Sequence, residues 1–303
     1  MSDLFKEKNV APMLLHETQP FDDENYIYEL KFDGIRCIAY ISPDSVALQN
    51  KRLKDVSEIY PELAKIKKCV KKNVVLDGEL VIFTGGKPDF YALQRRSLLT
   101  DKFKISLAAK KNPVQFVAYD ILYYDGKDLT DLPLVQRKEY MNKYVKEGNG
   151  LSVSRYIEKY GAAFFELAKK EGLEGIVAKK KDGLYQTGKR TREWLKIKVM
   201  QEEDLLVCGY QTDENGDVKN FILGGYDERG ELRYRGKATL GVSAEEKRFV
   251  ENFAEKNAVQ AAWFPKYKNA VWIKPELSGT VRYMQETERG GMRQPVWKGL
   301  KTD

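Results

Sequence analysis

The chain has 303 residues, of which 42% are hydrophobic and 12% aromatic, a composition typical of globular proteins and unlike that of disordered chains. The N-terminal segment lacks the apolar run of a signal peptide, and no later segment approaches the length of a membrane span, so we expect a cytoplasmic protein. Three scattered cysteines form neither a disulfide framework nor a CxxC zinc pair.

Positive charge is concentrated in the first two-thirds of the chain. The formal net charge is +7, yet residues 201–303 contain 16 Lys and Arg against 17 Asp and Glu, whereas residues 1–200 contain 36 against 28. Such an excess is typical of proteins that bind phosphate-bearing partners, but it also serves solubility alone. Charge by itself therefore leaves nucleic-acid binding open.

Strand and helix signals alternate up to residue 199. The apolar pattern predicts strands at residues 26–30, 35–41, 73–83, 115–124, 175–181 and 194–199. It predicts helices at residues 56–66, 90–99 and 161–172.

The pattern changes after residue 200. Short strands typical of a small barrel are predicted at residues 205–212, 221–236, 270–275 and 280–287. One helix interrupts them, and a capping box formed by Ser243 and Glu246 marks its start. The sequence therefore predicts an α+β fold with two domains, residues 1–199 and 200–303.

The stretch ELKFDGIR, residues 29–36, places Lys31 just before an Asp33-Gly34 turn. A neutral amine is a good nucleophile toward phosphorus, but a free lysine with a pKa of about 10.4 is protonated at neutral pH. Burial or a neighbouring cation such as a metal ion or Arg36 disfavours the ammonium form. The motif alone is equally compatible with a solvated lysine beside an ordinary turn.

Three further segments supply charged side chains in a fixed order. LDGEL places Asp77 and Glu79 on one face of a strand, EGIVAKK begins with Glu174, and WLKIK places two lysines, Lys196 and Lys198, on one face. Singly, they are better explained as a hairpin turn, a helix end and a solvated strand edge. Together they describe a pocket with a nucleophilic amine, carboxylates for metal and ribose, and two cations for phosphate.

The ordered set KFDGIR, LDGEL, FVAYDIL, EGIVAKK and WLKIK resembles the motifs of the covalent nucleotidyltransferases, and within them the ATP-dependent DNA ligases. The closing segment, residues 270–303, and residues 185–190 before Trp194 are similar to the ligase domain of bacterial ligase D, the end-joining enzyme. The resemblance implies a nucleotidyltransferase (adenylation) domain of antiparallel sheets and helices, residues 1–199, followed by a small OB-fold β-barrel, residues 200–303.

The resemblance also implies an activity, the sealing of nicks in duplex DNA. Lys31 takes AMP from ATP, the AMP passes to the 5′-phosphate of the nick, and the 3′-hydroxyl then displaces it. Mg²⁺ serves each step, and we expect Mn²⁺ to substitute. The implied setting is a monomer in a bacterial or phage-infected cytoplasm, associated with the nucleoid and with end-joining or repair factors.

Roles carry over to individual residues. Catalysis falls to Lys31, Lys196, Lys198, Lys301 and Asp303. ATP contacts are expected from Glu29 and Leu30 at adenine, Tyr119 stacked on adenine, Arg36 and Glu79 at the ribose or the nick, and the two lysines of WLKIK at the α-phosphate. Metal ligands are expected to be Asp33, Glu79 and Glu174, and DNA phosphates are expected to meet Lys189, Arg190 and Arg192.

The sequence departs from the family pattern at two places. Lys51 stands where the family has an arginine, and Arg52 follows it, so both are candidates for that phosphate contact. The last motif, usually Arg-x-Asp-Lys, reads Lys301-Thr302-Asp303, and we expect Lys301 to supply the cation.

Other functions share parts of this pattern. An RNA ligase or a capping guanylyltransferase has the same lysine motif, but the closing segment favours DNA. A non-catalytic DNA-end-binding protein would not need Lys31 and the carboxylates. Because only 30 residues precede Lys31 and no cysteine zinc site is present, we expect ATP and not NAD as the cofactor.

Overall fold

The computed structural model describes residues 3–267, 269–287 and 290–301. The chain divides into two compact units, Met1–Val199 and Met200–Asp303, each with its own hydrophobic core. Among the described residues, no helix is long and apolar enough to cross a membrane.

The strands of the first unit are short and frequent. In chain order they are β1 (Leu14–Glu17), β2 (Tyr26–Leu30), β3 (Ile35–Ile41), β4 (Val46–Asn50), β5 (Val74–Val81), β6 (Phe83–Thr84), β7 (Lys87–Pro88), β8 (Gln115–Tyr124), β9 (Lys127–Asp128), β10 (Leu151–Val153), β11 (Tyr156–Glu158), β12 (Gly175–Lys180) and β13 (Arg190–Lys198). The helices are α1 (Leu4–Glu7), α2 (Phe90–Ser97), α3 (Lys102–Lys111), α4 (Leu134–Tyr144) and α5 (Gly161–Lys170).

Two sheets form the frame of this unit. One has the order β1-β13-β12-β2-β11, and the other has the order β10-β8-β5-β3-β4 with β9 beside β8. Pairing is antiparallel except between β1 and β13 and between β10 and β8. The prediction of largely antiparallel sheets with helices is confirmed.

The sheets lie face to face. Trp194 of the first sheet packs in one buried cluster with Ile38, Tyr40 and Val75 of the second. The far side of the first sheet packs on α5 through Tyr28 and Phe165, and the far side of the second carries the largest apolar cluster of the unit. Because strand side chains alternate between faces, every second residue points into the space between the sheets.

One predicted helix is wrong in type. Residues 56–66 were expected to be α-helical, but the chain forms two 3₁₀ helices, Ser57–Ile59 and Pro61–Cys69. Pro61 has no N–H, and it disfavours the helical conformation of the residue before it, so Tyr60 adopts φ −124° and ψ 58° and interrupts the helix.

The second unit is a curved sheet with one long helix. Its elements are β14 (Gln201–Thr212), β15 (Val218–Tyr226), β16 (Leu232–Ala238), α6 (Ala244–Asn257), β17 (Ala270–Trp272), β18 (Ser278–Tyr283), β19 (Gln285–Glu286), β20 (Met292–Arg293) and β21 (Val296–Leu300). The predicted capping box opens α6, with Ser243 and Glu246 bonded reciprocally.

The expected barrel is not closed. The sheet runs β16-β15-β14-β18-β21 with β17 beside β14, and β16 forms no ladder with β21 among the described residues. A single parallel bridge, in which the Trp297 N–H donates to the Leu240 carbonyl, connects the two edges. The unit is therefore OB-fold-like, with the last seam of the barrel reduced to one bridge.

Candidate active site

Alternation along the strands places polar side chains between the two sheets of the first unit. In the second sheet Arg36 lies directly opposite Glu79, and in the first sheet Glu29 lies directly opposite Val177. The polar and aromatic side chains that meet in this space are Glu29, Lys31, Arg36, Asp77, Glu79, Tyr119, Lys138, Glu174, Lys179, Tyr185, Trp194, Lys196 and Lys198.

Lys31 follows the last residue of β2. Its backbone N–H donates to the Gly175 carbonyl at 2.9 Å, and its Nζ donates to Glu174 Oε2 at 2.8 Å. The Lys31 side chain is 22% exposed and the Glu174 side chain 7%. A Cβ at Gly175, where φ is +140°, would lie 2.1 Å from the Ile197 carbonyl oxygen, so only glycine permits this approach.

The Asp33-Gly34 segment packs tightly against β5. Gly34 does not have a positive φ, and its role is steric, because a Cβ there would lie 2.3 Å from the Leu80 carbonyl oxygen. The loop that carries Lys31 therefore lies directly against β5. Asp33 is half-buried in this loop.

Arg36 is held inside the protein. Its Nε and NH2 donate to the two carboxylate oxygens of Asp77 at 3.1 and 2.6 Å, and its NH1 donates to the Met13 carbonyl. Burial opposes the Arg36 charge, but Asp77 outweighs it and raises the pKa of Arg36. The Arg36 guanidinium also lies 5.7 Å from the centre of the Tyr119 ring, which is the ring expected to stack on adenine.

The Glu79 carboxyl has a raised pKa, which the sequence did not indicate. Burial raises the pKa of Glu79 to about 8, although Lys31 and Arg36 oppose the rise. The Tyr119 hydroxyl lies 3.4 Å from its Oε2. At neutral pH the carboxyl is therefore largely protonated and suited to hydrogen bonding with a hydroxyl, such as that of a ribose.

Glu29 is almost fully buried between two lysines. Lys179 Nζ donates to its Oε2 at 3.0 Å, and Lys138 Nζ donates to its Oε1. Burial lowers the pKa of Lys179 to about 8 against the opposing effect of Glu29. The Lys179 amine also lies 4.4 Å from the Tyr119 ring centre and 4.1 Å from that of Trp194.

Sequence reasoning missed both of these lysines. For Lys179 the sequence did contain a signal. Ile176 and Ala178 face the far side of the first sheet, so the alternation of strand side chains places Lys179 on the face toward the second sheet. None existed for Lys138, because the helix that carries it was not predicted.

The lysines of WLKIK share the inward face of β13. Lys196 pairs with Glu17 at 3.4 Å. Burial lowers the pKa of Lys198, and Lys196 adds to this effect. The predicted phosphate cations therefore lie on the same strand face as Trp194.

The remaining predicted residues of the first unit lie away from the space between its two sheets. Leu30 ends β2 and packs on the far side of the first sheet, whereas Lys51 and Arg52 are exposed in the turn after β4. Lys189, Arg190 and Arg192 are exposed at the start of β13, where Arg190 donates to the Leu15 carbonyl. In the second unit Lys301 pairs with Asp204, and Asp303 lies outside the described residues.

The three predicted metal ligands do not form one cluster. Within the described part of the chain, no three His, Cys, Asp or Glu side chains gather in a way that could hold a metal ion. Glu79 lies on the sheet opposite Glu174 and is largely protonated at neutral pH. Magnesium, however, commonly binds through one or two carboxylates together with substrate phosphates, and Glu174 fits that smaller role.

Comparison with known proteins decides the family. Residues 12–198 match the ATP dependent DNA ligase domain, and residues 214–303 match the ATP dependent DNA ligase C terminal region. The chain belongs to the ATP-dependent DNA ligase family. The predictions of a ligase, of its enzyme class and of a nucleotidyltransferase fold with an OB-like unit are confirmed.

The ligase is similar to curated proteins that differ in length. It is 36% identical over 218 residues to the SPbeta prophage-derived DNA ligase-like protein LigB of Bacillus subtilis, covering 71% of this chain and 75% of that protein. It is 28% identical over 312 residues to the multifunctional non-homologous end joining protein LigD of Mycobacterium bovis. That alignment covers 99% of this chain but only 39% of LigD.

Solved structures share the fold of the ligase. A mycobacterial DNA ligase D complexed with ATP and MES has a TM-score of 0.57 and 27% identity, over 98% of this chain and 96% of that one. A Lig E DNA ligase has a TM-score of 0.67 at 17% identity, over 96% of this chain and 99% of that one, and supports the fold alone.

The raised pKa of Glu79 predicts a pH effect on stability. Below the unfolded-state pKa of about 4.3 the proton is held in both states, and as the pH rises to about 8 only the folded state keeps it. The free energy of unfolding of the wild type therefore falls as the pH rises between these two pKa values. Relative to the wild type, the unfolding free energy of Glu79→Gln should rise by at least about 1 kcal/mol between about pH 5.5 and 8.5.

Urea unfolding at several pH values measures this difference. The same substitution at the exposed Glu58 is the control. Parallel stability curves for Glu79→Gln and the wild type would show that the carboxyl is ionised in the folded protein.

Proposed function

We propose that this ligase seals nicks in duplex DNA through an AMP intermediate on Lys31. The observation that carries the proposal is the half-buried Lys31 amine, held 2.8 Å from Glu174 on the same side of the first sheet as two further lysines of β13. An amine in this position is accessible to a substrate and fixed in direction.

In the first step the Lys31 amine forms a bond to the α-phosphorus of ATP, and the bond to pyrophosphate breaks. The amine gives up one proton, so the products are the lysyl-AMP phosphoramidate, pyrophosphate and a proton. Lys196 and Lys198 stand where they neutralise charge that develops on the α-phosphate. Before the nucleotide binds, the Lys31 side chain donates to Glu174.

Magnesium, when bound with ATP, supplies positive charge to the transferring phosphates, and Glu174 is the residue that fits it best. A cation held at this carboxylate would replace the Lys31 side chain as the partner of Glu174. We expect Mn²⁺ to substitute. Asp33, half-buried in the Lys31 loop, is the second candidate ligand.

Adenine is recognised by the pattern of hydrogen-bond donors and acceptors along its edge. Adenine presents an amino donor beside a ring-nitrogen acceptor, and the Glu29–Lys179 pair presents an acceptor beside a donor. Guanine presents the opposite pattern at these positions. Tyr119 supplies the stacking surface, Leu30 connects Glu29 to Lys31 along the chain, and the neutral Glu79 carboxyl meets a ribose hydroxyl.

The second and third steps act on DNA. The 5′-phosphate of the nick attacks the lysyl-AMP phosphorus and releases Lys31, and the 3′-hydroxyl then attacks the activated phosphate and releases AMP. We assign DNA phosphate contacts to Lys189, Arg190 and Arg192, and a phosphate contact to Lys51 or Arg52. Lys301 and Asp303 are assigned to orienting pyrophosphate in the first step.

The cellular role is also a proposal. The LigD relatives are named for non-homologous end joining, and the prophage relative is named as ligase-like. These names support a DNA repair role. We further propose a monomer in a bacterial or phage-infected cytoplasm, associated with the nucleoid and recruited by end-joining or repair factors.

Replacement of Lys31 separates the first step from the last. Lys31→Ala should form no covalent adenylate with ATP and seal no nick, because the nucleophile is absent. It should still seal a nick that already carries 5′-AMP, which bypasses the first step. Labelled ATP with denaturing electrophoresis measures the adenylate, and Lys110→Ala, an exposed lysine on α3, is the control. ATP-dependent label on Lys31→Ala would refute the assignment.

The basic start of β13 predicts a salt effect. Replacing Lys189, Arg190 and Arg192 by glutamine should weaken nick binding and reduce the slope of log affinity against log salt by about 2 to 3, since each phosphate contact contributes about 0.9. Adenylation of Lys31 should stay near the wild-type rate. The control replaces three exposed lysines of α3, Lys102, Lys104 and Lys110. An unchanged slope in the β13 variant would mean that these side chains are merely solvated.

A further inference from the structure

Helix α4 inserts two positive side chains into the interior of the first unit. Arg137 and Lys138 are both buried, on the same face of the helix as Leu134 and Met141. Arg137 donates to both oxygens of Asp120, at 2.9 and 2.8 Å, and to the carbonyls of Leu132 and Gly183. This pairing accounts for Arg137 as a structural residue and fixes the backbone beside Lys138.

Lys138 makes contacts of another kind. Its Nζ donates to Glu29 Oε1 and, at 2.8 Å, to the backbone carbonyl of Tyr119. It therefore connects the carboxylate assigned to the adenine amino group with the strand that carries the stacking ring. The Lys138 amine also lies 5.7 Å from the ring centre of Tyr156, which is paired with Glu29 across the strands.

The second lysine already neutralises Glu29. Lys179 Nζ donates to Oε2 at 3.0 Å, so a single ion pair would satisfy the charge of the buried carboxylate. Adding Lys138 places a surplus positive charge among side chains that are about 2% exposed, which is costly unless the extra cation has another use.

The two lysines together fix the orientation of the Glu29 carboxylate. A carboxylate with one partner can rotate about its last bond, whereas one held at both oxygens from two different elements has a fixed plane. Each oxygen keeps a free lone pair direction for one more donor. A fixed acceptor loses less entropy when a base binds than a mobile one.

We propose that Lys138 is a positioning residue that fixes the Glu29 carboxylate for adenine and thereby sets the affinity for ATP and the preference for ATP over GTP. The proposal rests on the proposed function, since it requires that Glu29 face the base. Lys138 touches Glu29 and the Tyr119 backbone and acts only through them.

The test compares Lys138→Met, which keeps length and loses charge, with Lys138→Arg, which keeps charge. Adenylation of Lys31 is followed with ATP and with GTP over a range of concentrations. Lys138→Met should raise the KM for ATP about tenfold, as expected for loss of a charged hydrogen bond, and change the rate at saturating ATP by less than about threefold. Its preference for ATP over GTP should fall by a similar factor, and Lys138→Arg should restore most of both.

Two controls separate positioning from folding. Lys143→Met, at an exposed site on the same helix, should leave both values unchanged. Sealing of a pre-adenylated nick needs no ATP, and at saturating concentrations of that nick its rate should stay near the wild-type rate in Lys138→Met. If Lys138→Met does not fold, Lys138→Gln carries the same expectation for KM and preference.

The outcomes are distinguishable. If the wild type acquires no covalent adenylate, the proposed function is wrong. If the wild type is labelled and a folded Lys138→Met or Lys138→Gln has the wild-type KM for ATP and preference, only the positioning role is overturned. A parallel loss of adenylation and of pre-adenylated sealing would likewise overturn it, in favour of a structural role.

Discussion

Pairing of the charges that are buried in the space between the two facing sheets is the constraint on which the first unit depends. A charge taken out of water is tolerated only when a partner and further hydrogen bonds replace its hydration. Here Glu29 has Lys138 and Lys179, Asp77 has Arg36 and the Tyr185 hydroxyl, and Asp120 has Arg137. These groups form the inner layer that an all-apolar sandwich would fill with aliphatic side chains.

The exposed fraction of each side chain distinguishes the paired cations that are buried from the lysine that is proposed to react. The cationic side chains of Arg137, Lys138 and Lys179 are at most 2% exposed, whereas that of Lys31 is 22% exposed although it too is paired. The buried pairs are fixed before any substrate arrives, which is the condition for electrostatic catalysis. The accessible pair is Lys31 with Glu174.

Much of this frame follows from local sequence patterns. Strands with period-two alternation, such as β2, β3, β5 and β8, are predicted closely because their apolar faces pack on one side and their polar residues face the other. The capping box of α6 is visible in the same way. Helix α4 was missed because Arg137 and Lys138 occupy positions on its buried face, and hydrophobic periodicity assumes that buried positions are apolar.

The other differences between the predictions and the structure involve residues whose partners are distant in sequence. The residues of the nucleotide motifs were visible, but the pairing of Arg36 with Asp77 depends on the register of β3 against β5, and the proton on Glu79 depends on its burial. The last seam of the OB-like unit depends on one bridge between Leu240 and Val296, which no local pattern specifies. Burial and long-range pairing thus decide what each motif residue can do.

The central claim is that this arrangement makes the Lys31 amine the acceptor of AMP. The most direct measurement is the mass of the intact protein after incubation with ATP and Mg²⁺, followed by proteolysis and peptide mapping. The account predicts a mass gain of one AMP, located on Lys31 within ELKFDGIR and lost when nicked duplex DNA is added. An adduct on another lysine, or no adduct under conditions in which the protein is folded, would contradict it.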